Sequence, residues 1–383
     1  MISISRLLCD GTSPGDSLRY AGKDNPRPVV VWNCTRRCNL KCLHCYARAN
    51  SRTTNGDLST TEGQALIRDL AEFGVPVILF SGGEPLLRKD LFDLASLAKD
   101  WGLRIALSTN GTLITPEVAR KLQQIGFAEV GISLDGLRPV HDYFRGKEGA
   151  FQAALTGIRN SIAAGLRVSL RMTITRFNYA ELPAIFHLVA EEKIDRVCFY
   201  HLAYSGRGEN LRENDITHQQ TRAVLDFICK QTLDFYRSGL AKEVLTVGNH
   251  ADGVYLYLKI KKQDPERAAR ILELLKINGG NNAGIKIGAV DNRGYVHPDQ
   301  FWWHYSLGNV CQRKFGDIWM DTSEPLLRGL KDRKSLLKGR CSRCRFLDLC
   351  NGNLRERAEA VFGDVWAEDP ACYLSDQEIG IAQ

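Results

Sequence analysis

Cys38, Cys42 and Cys45 stand in a C-x3-C-x2-C pattern that ends in Cys45-Tyr46. Three thiolates on so short a loop suit a [4Fe–4S] cluster held through three of its four irons, leaving the fourth iron open to a non-protein ligand. Zinc normally takes four ligands, commonly from paired C-x2-C hooks, and fits this spacing less well. A second group lies in the tail, where Cys341-x2-Cys344-x5-Cys350 is followed after 21 residues by Cys372. Four thiolates can fully ligate a second [4Fe–4S] cluster; a structural zinc in a four-thiolate cage is the alternative. Cys9, Cys198, Cys229 and Cys311 read as core or surface thiols.

Elements able to position these groups recur through the first half of the chain. Strand-like runs are expected over residues 28–32, 75–80, 103–108, 128–134, 168–175 and 196–201. Helix-like stretches alternate with them over 60–73, 90–101, 116–125, 150–164 and 180–192. Ser59 and Thr115 read as helix N-caps, and Gly74, Gly102, Gly126 and Gly165 as stop signals. Six strand–helix repeats predict an α/β fold with a parallel sheet and right-handed crossovers, a partial (β/α)6 barrel. Active sites in such folds lie at the C-terminal ends of the strands, and the first cysteine group follows strand one. Beyond about residue 205 the rhythm changes to long helices over 216–238 and 265–277, then a hairpin around residues 291–294.

Three further strand ends carry polar turns. Ser81-Gly-Gly-Glu-Pro85 follows the second strand: Gly82 and Gly83 would let the backbone approach a ligand closely, and Glu84 could accept a hydrogen bond from an ammonium group. Ser108-Thr-Asn-Gly111 follows the third and Ser133-Leu-Asp-Gly136 the fourth. Asn110 and Ser133 could contact a ribose or carboxylate there, or the segments could be capping turns. Arg171, in the fifth strand, could pair with a carboxylate or sit in a structural ion pair.

The chain has 383 residues, 12 cysteines and a formal net charge of +7. A hydrophobic fraction of 44% supports a sizeable core and weighs against disorder. No apolar run reaches the roughly 18 residues of a membrane-spanning helix, and the first twenty residues lack a signal-peptide core. The cytoplasm is therefore expected, where cysteines serve metals or redox chemistry more often than disulfides. The charge is modest, and without a Lys/Arg block of five or more nucleic acid is not an expected partner; a small polyanion is compatible with it.

The C-x3-C-x2-C loop after strand one, with the Ser81–Pro85 turn, resembles the radical S-adenosylmethionine superfamily. The resemblance implies two cofactors at the first site: a [4Fe–4S] cluster on Cys38, Cys42 and Cys45, and S-adenosyl-L-methionine chelating its open iron. It further implies reductive cleavage of the cofactor to methionine and a 5′-deoxyadenosyl radical. Gly82, Gly83 and Glu84 are implied to serve the methionine amino group, with Asn110, Ser133 and Arg171 as further cofactor contacts. His44 is expected to pack near the adenine, and Cys34, a fourth nearby thiol, to belong to the strand end because three ligands suffice. The tail resembles a shortened SPASM-type extension, implying a second [4Fe–4S] cluster on Cys341, Cys344, Cys350 and Cys372. The expected division is an N-terminal segment, 1–25, a radical core, 26–240, and a cluster-bearing extension, 241–383.

Residues 28–38, 250–253, 296–302 and 366–373 look like two sister families acting on iron tetrapyrroles. One comprises the didecarboxysiroheme deacetylases of siroheme-dependent haem synthesis; the other, the radical enzymes of haem d1 synthesis, acts on propionates. The opening residues and residues 249–257 resemble the deacetylases more. That resemblance implies an iron tetrapyrrole substrate that loses two acetate side chains, and a low-potential electron donor of the flavodoxin or ferredoxin type. Arg36, Arg37 and Arg145 could bind substrate carboxylates or be surface cations. His250, His297 and His304 could ligate the substrate iron or be loop residues. A peptide-modifying radical enzyme is a further reading. No catalytic residue is assigned.

Overall fold

In the computed structural model, which describes residues 1–20, 27–51 and 56–381, Val, Ile and Leu dominate the strands at the centre. The strands are β1 (Ile2–Ser3), β2 (Val29–Asn33), β3 (Val77–Ser81), β4 (Arg104–Thr109), β5 (Val130–Ser133), β6 (Val168–Ile174), β7 (Arg196–His201), β8 (Glu243–Val247), β9 (Ile287–Val290), β10 (Tyr295–His297) and β11 (Gly308–Asn309). They form one open sheet in the order β1-β8-β7-β6-β5-β4-β3-β2-β9-β10-β11. All pairings from β8 across to β9 are parallel. The register sets Trp32 beside Phe80 and Phe80 beside Leu107 in a fully buried core.

All six expected strands are present, within a few residues of their expected bounds. They are β2–β7 and form the expected partial barrel; β8, not expected, and β9 add one parallel strand at each side. Glu243 and Thr246 interrupt the apolar pattern of β8, which hid it in the sequence. Both are buried, and Glu243 is buried because it is paired: Arg196 Nε lies 2.6 Å and Arg167 Nη2 2.7 Å from its Oε2. These cations, with Glu129, close the N-terminal end of the sheet, the end remote from the cysteines. The sheet therefore continues past residue 240 into the C-terminal segment. The expected boundary at residues 25–26 lies outside the described residues.

The helices cover the outer face of the sheet. Ser59 caps Thr60–Phe73 in a reciprocal capping box with Glu62, and Gly74 ends that helix at φ 84°. Gly63 lets this helix lie directly on Trp32, since a Cβ there would come within 2.9 Å of the indole. The helix Ala251–Lys261, not expected from the sequence, follows β8. No helix among the described residues is long and apolar enough to cross a membrane.

The tail is tied to the sheet by buried polar contacts. Arg357, fully buried, donates two 2.7 Å bonds to Asp369 and 2.9 Å bonds to the carbonyls of Leu202 and Gly248. Asn353 Nδ2 donates to Asn249 Oδ1 (2.7 Å), and Asn249 Nδ2 to Ala371 O (2.9 Å). The tail thus sits on the loops that follow β7 and β8.

Candidate active site

The loop after β2 crosses the C-terminal edge of the sheet with its carbonyls tied down on one side and its N–H groups on the other. Arg207 donates to Cys42 O (2.8 Å) and Ala49 O (2.9 Å); the backbone N–H groups of Lys41 and Leu43 donate to Arg145 O (3.1 Å) and Phe144 O (2.9 Å). Cys38 and Cys42 are buried and Cys45 packs against them. Each sulfur accepts an N–H. Leu40 N is 3.4 Å and Asn110 Nδ2 3.8 Å from Cys38 Sγ, Arg145 Nη1 is 3.5 Å from Cys42 Sγ, and Ala49 N is 3.4 Å from Cys45 Sγ. N–H donors aimed at sulfur stabilise thiolate charge, as iron ligation requires. Burial pushes the Cys38 thiol up to about 12, so a metal must displace its proton on binding.

The four tail thiols meet the same test. Cys341, Cys344, Cys350 and Cys372 line one small cavity. Phe346 N donates to Cys344 Sγ (3.4 Å), and the backbone N–H groups of Asp369, Gly352 and Leu374 lie near the sulfurs of Cys341, Cys350 and Cys372 respectively. Among the described residues no three His, Cys, Asp or Glu side chains are arranged to hold a single metal ion. Both thiol sets fit a cluster by their donor chemistry. All twelve cysteines are free. Cys34 stays apart from the loop thiols: it is fully buried in the main core, its N–H donates to Ser81 O (2.9 Å), and burial pushes its thiol up to about 12.

A cavity opens where the parallel strands end, bounded by Ser81, Ser108, Ser133, Arg171, Tyr200 and His44. Ser133 and Arg171 are thus on its wall. Arg171 is also held as a structural cation: Nη1 donates to Ser108 Oγ (2.7 Å), Nη2 lies 3.7 Å from Glu129, and its guanidinium lies flat on Gly131. His44 stacks on Phe144 with centroids 4.6 Å apart.

Gly82 and Gly83 each leave room on their Cβ side for another segment. A Cβ on Gly82 would lie 2.3 Å from Thr35 O, and one on Gly83 2.1 Å from Arg37 O. The close approach is made by the protein's own cysteine loop, which takes Gly83 N on Thr35 O and Glu84 N on Arg37 O, both at 2.7 Å. Gly83→Ala is therefore expected to displace the loop, lowering the iron content of reconstituted protein and costing about 1–3 kcal/mol of stability. Full iron loading in that variant would contradict it. Glu84, fully buried, accepts from Leu86 N (3.2 Å), Thr109 Oγ1 (2.7 Å) and Asn110 N (2.8 Å). Three of about four lone-pair positions are taken, leaving one for an ammonium donor. Asn110 bonds Asn39 Oδ1 (2.8 Å) and faces Cys38 sulfur rather than the cavity wall.

Other expectations sort as follows. Arg145 is no surface cation: it is buried and pairs with Asp135. Arg36 lines an outer cleft beside the cavity, as does His304, whose Nε2 meets Glu359 Oε2 at 2.8 Å. His250 and His297 are buried, bonded to the Met1 amino group (2.8 Å) and Tyr305 O (2.6 Å), and line neither space. The sequence reading missed Tyr46, whose hydroxyl bonds Asn33 Oδ1 (3.0 Å) on the cavity wall, although its place next to Cys45 was a local signal. It also missed Asp135 and Arg207, which act through distant partners and carry no such signal.

A sequence model described as Radical SAM superfamily matches residues 32–189. The chain is 54% identical to Fe-coproporphyrin III synthase of Methanosarcina barkeri, over 99% of each chain. It is 41% identical to pre-heme d1 synthase of Dinoroseobacter shibae, over 94% of this chain and 89% of that one. Among solved structures, SuiB of Streptococcus suis bound to its precursor peptide superposes with a TM-score of 0.72 at 18% identity, over 91% of this chain and 76% of that one; this shows the fold. End-to-end identity above one half is incompatible with a different family, and the chain belongs to the radical SAM superfamily, whose members bind S-adenosylmethionine and a [4Fe–4S] cluster.

Proposed function

We propose that the chain is an Fe-coproporphyrin III synthase, removing two acetate side chains from 12,18-didecarboxysiroheme. The observation that carries this reading is the 54% identity over 99% of both chains to the Methanosarcina barkeri enzyme of that name. Cys38, Cys42 and Cys45 hold the first cluster, and Cys341, Cys344, Cys350 and Cys372 a second, within a core of 26–240 and an extension of 241–383. A cluster and S-adenosylmethionine held at the first site would supply adenosyl-radical chemistry, with the electron coming from a flavodoxin- or ferredoxin-type donor in the cytoplasm.

The chain's own residues hold and orient these groups. Gly82 and Gly83 fix the cysteine loop against β3, and Glu84 offers its remaining lone pair to the methionine amino group. Ser133 and Arg171 offer a hydroxyl and a cation to the ribose and carboxylate, and Asn110 donates to Cys38 sulfur. Tyr46, clamped between Asn33 and Ser81, screens the strand ends from water.

The haem d1 reading keeps a specific observation, the 41% relative. Anaerobic turnover of didecarboxysiroheme by the reconstituted, reduced protein separates the two through product mass. Loss of two acetate units is the expected result; conversion of propionates to oxo groups would replace this reading with the haem d1 one.

A further inference from the structure

Beside the cavity at the strand ends lies an open cleft of about 420 Å³, within the size range of small-molecule pockets. Tyr46 and Phe301 line both spaces and pack edge to face with centroids 5.5 Å apart, so they form the partition between them. The cleft is rich in flat surface, from Tyr46, Tyr204, Phe301 and Trp303. Two polar groups on its walls lack side-chain partners among the described residues. The carboxyl oxygens of Glu356 are buried, in a residue only 3% exposed, with no side-chain partner and only the Arg357 backbone N–H beside them, and the indole Nε1 of Trp303 is buried without a hydrogen bond.

Such groups are costly to leave unpaired, and two facing one cleft mark where a ligand would supply the missing bonds. Arg36 has no acidic partner among the described residues. Its guanidinium lies over Trp303, 5.8 Å from the ring centroid, and its Nε donates to Ala47 O (3.0 Å). The other acids on the rim have partners: Glu209 meets Arg48 (3.4 Å) and Glu359 meets His304 Nε2 (2.8 Å). Burial without a side-chain partner raises the Glu356 carboxyl well above the usual carboxylate range, favouring the protonated form that can donate to an anion. The neighbouring Arg357 is committed to Asp369.

We propose that this cleft seats a flat macrocycle bearing carboxylates. Glu356 is the positioning residue that hydrogen-bonds one of those carboxylates, and the reacting side chain passes the Tyr46–Phe301 partition into the lumen. Arg36 pairs with a second carboxylate, and the Trp303 N–H meets a ring or side-chain acceptor. The inference rests on the tetrapyrrole reading of the function.

Iron coproporphyrin III and its tetramethyl ester, titrated into the reconstituted holoenzyme and followed by Soret absorbance, test it. Glu356→Ala is expected to weaken the free acid on the order of 10-fold while the ester binds wild type and variant alike. Glu356→Gln, which keeps an N–H donor in the same volume, is expected to recover most of the affinity. Unchanged affinity of Glu356→Ala for the free acid overturns the proposal. So does an equal loss for acid and ester, the mark of a merely structural role. Failure of the wild type to bind either porphyrin with both clusters intact overturns the tetrapyrrole reading itself, a result distinct from a change confined to the variant.

Discussion

Alanine at Cys38, Cys42 or Cys45 is expected to abolish 5′-deoxyadenosine formation, whereas Cys34→Ala leaves it measurable. The four thiols lie within twelve residues of one another, yet the structure separates them. The three loop sulfurs share a small buried cluster, and each accepts an N–H. Removing one leaves two protein ligands, too few to hold a cluster in which three of the four irons are protein-bound. Cys34 packs in the main apolar core, and burial keeps it a neutral thiol. Its loss creates a small void, costing about 1 kcal/mol or somewhat more, without touching a ligand. The assay is product formation by anaerobically reconstituted, dithionite-reduced protein, with iron counted per chain. Activity surviving in any of the three loop variants would remove the loop from the cluster assignment.

Asp369→Ala is expected to destabilise the protein by about 3–5 kcal/mol, the cost of stranding a buried charge. Arg357 and Asp369 are essentially unexposed, and their guanidinium–carboxylate contact is two-pronged. The same Arg357 holds the carbonyls at the ends of β7 and β8, and Asp369 also accepts from Leu354 N (3.0 Å) and Ala371 N (2.9 Å). Asp369 stands three residues before Cys372, so the pair fixes the last tail thiol relative to the barrel. Urea unfolding should show a lower midpoint, and the tail cluster should be lost before the loop cluster. Glu117→Gln, which breaks an ion pair exposed on both sides, should leave the midpoint unchanged, because water already solvates both charges. Equal midpoints for Asp369→Ala and wild type would show that the tail is held by its apolar contacts instead.

Some of this was legible in the sequence because it is local. Cysteine spacing on a loop of eight residues constrains geometry by itself, so the two thiol sets proposed as cluster ligands are visible in the sequence. Helix caps such as Ser59 and Thr115 act over three residues, and the six strand–helix repeats announce themselves by period. The strand β8 was hidden because its polar residues are tolerated only through Arg167 and Arg196, contributed from far along the chain. Gly82 and Gly83 were visible as special backbone, but what they admit was not, since the approaching carbonyls belong to another segment. Arg145 could be read as a carboxylate-binding or a surface cation from its sequence alone, and only the fold sets Asp135 beside it. The sequence by itself determined the cofactor chemistry, which depends on residue types a few positions apart. Only the tertiary structure decided which charges are paired, which thiol stands aside, and that Glu356 is buried without a side-chain partner among the described residues, because burial and pairing come from segments that meet only when the chain is folded.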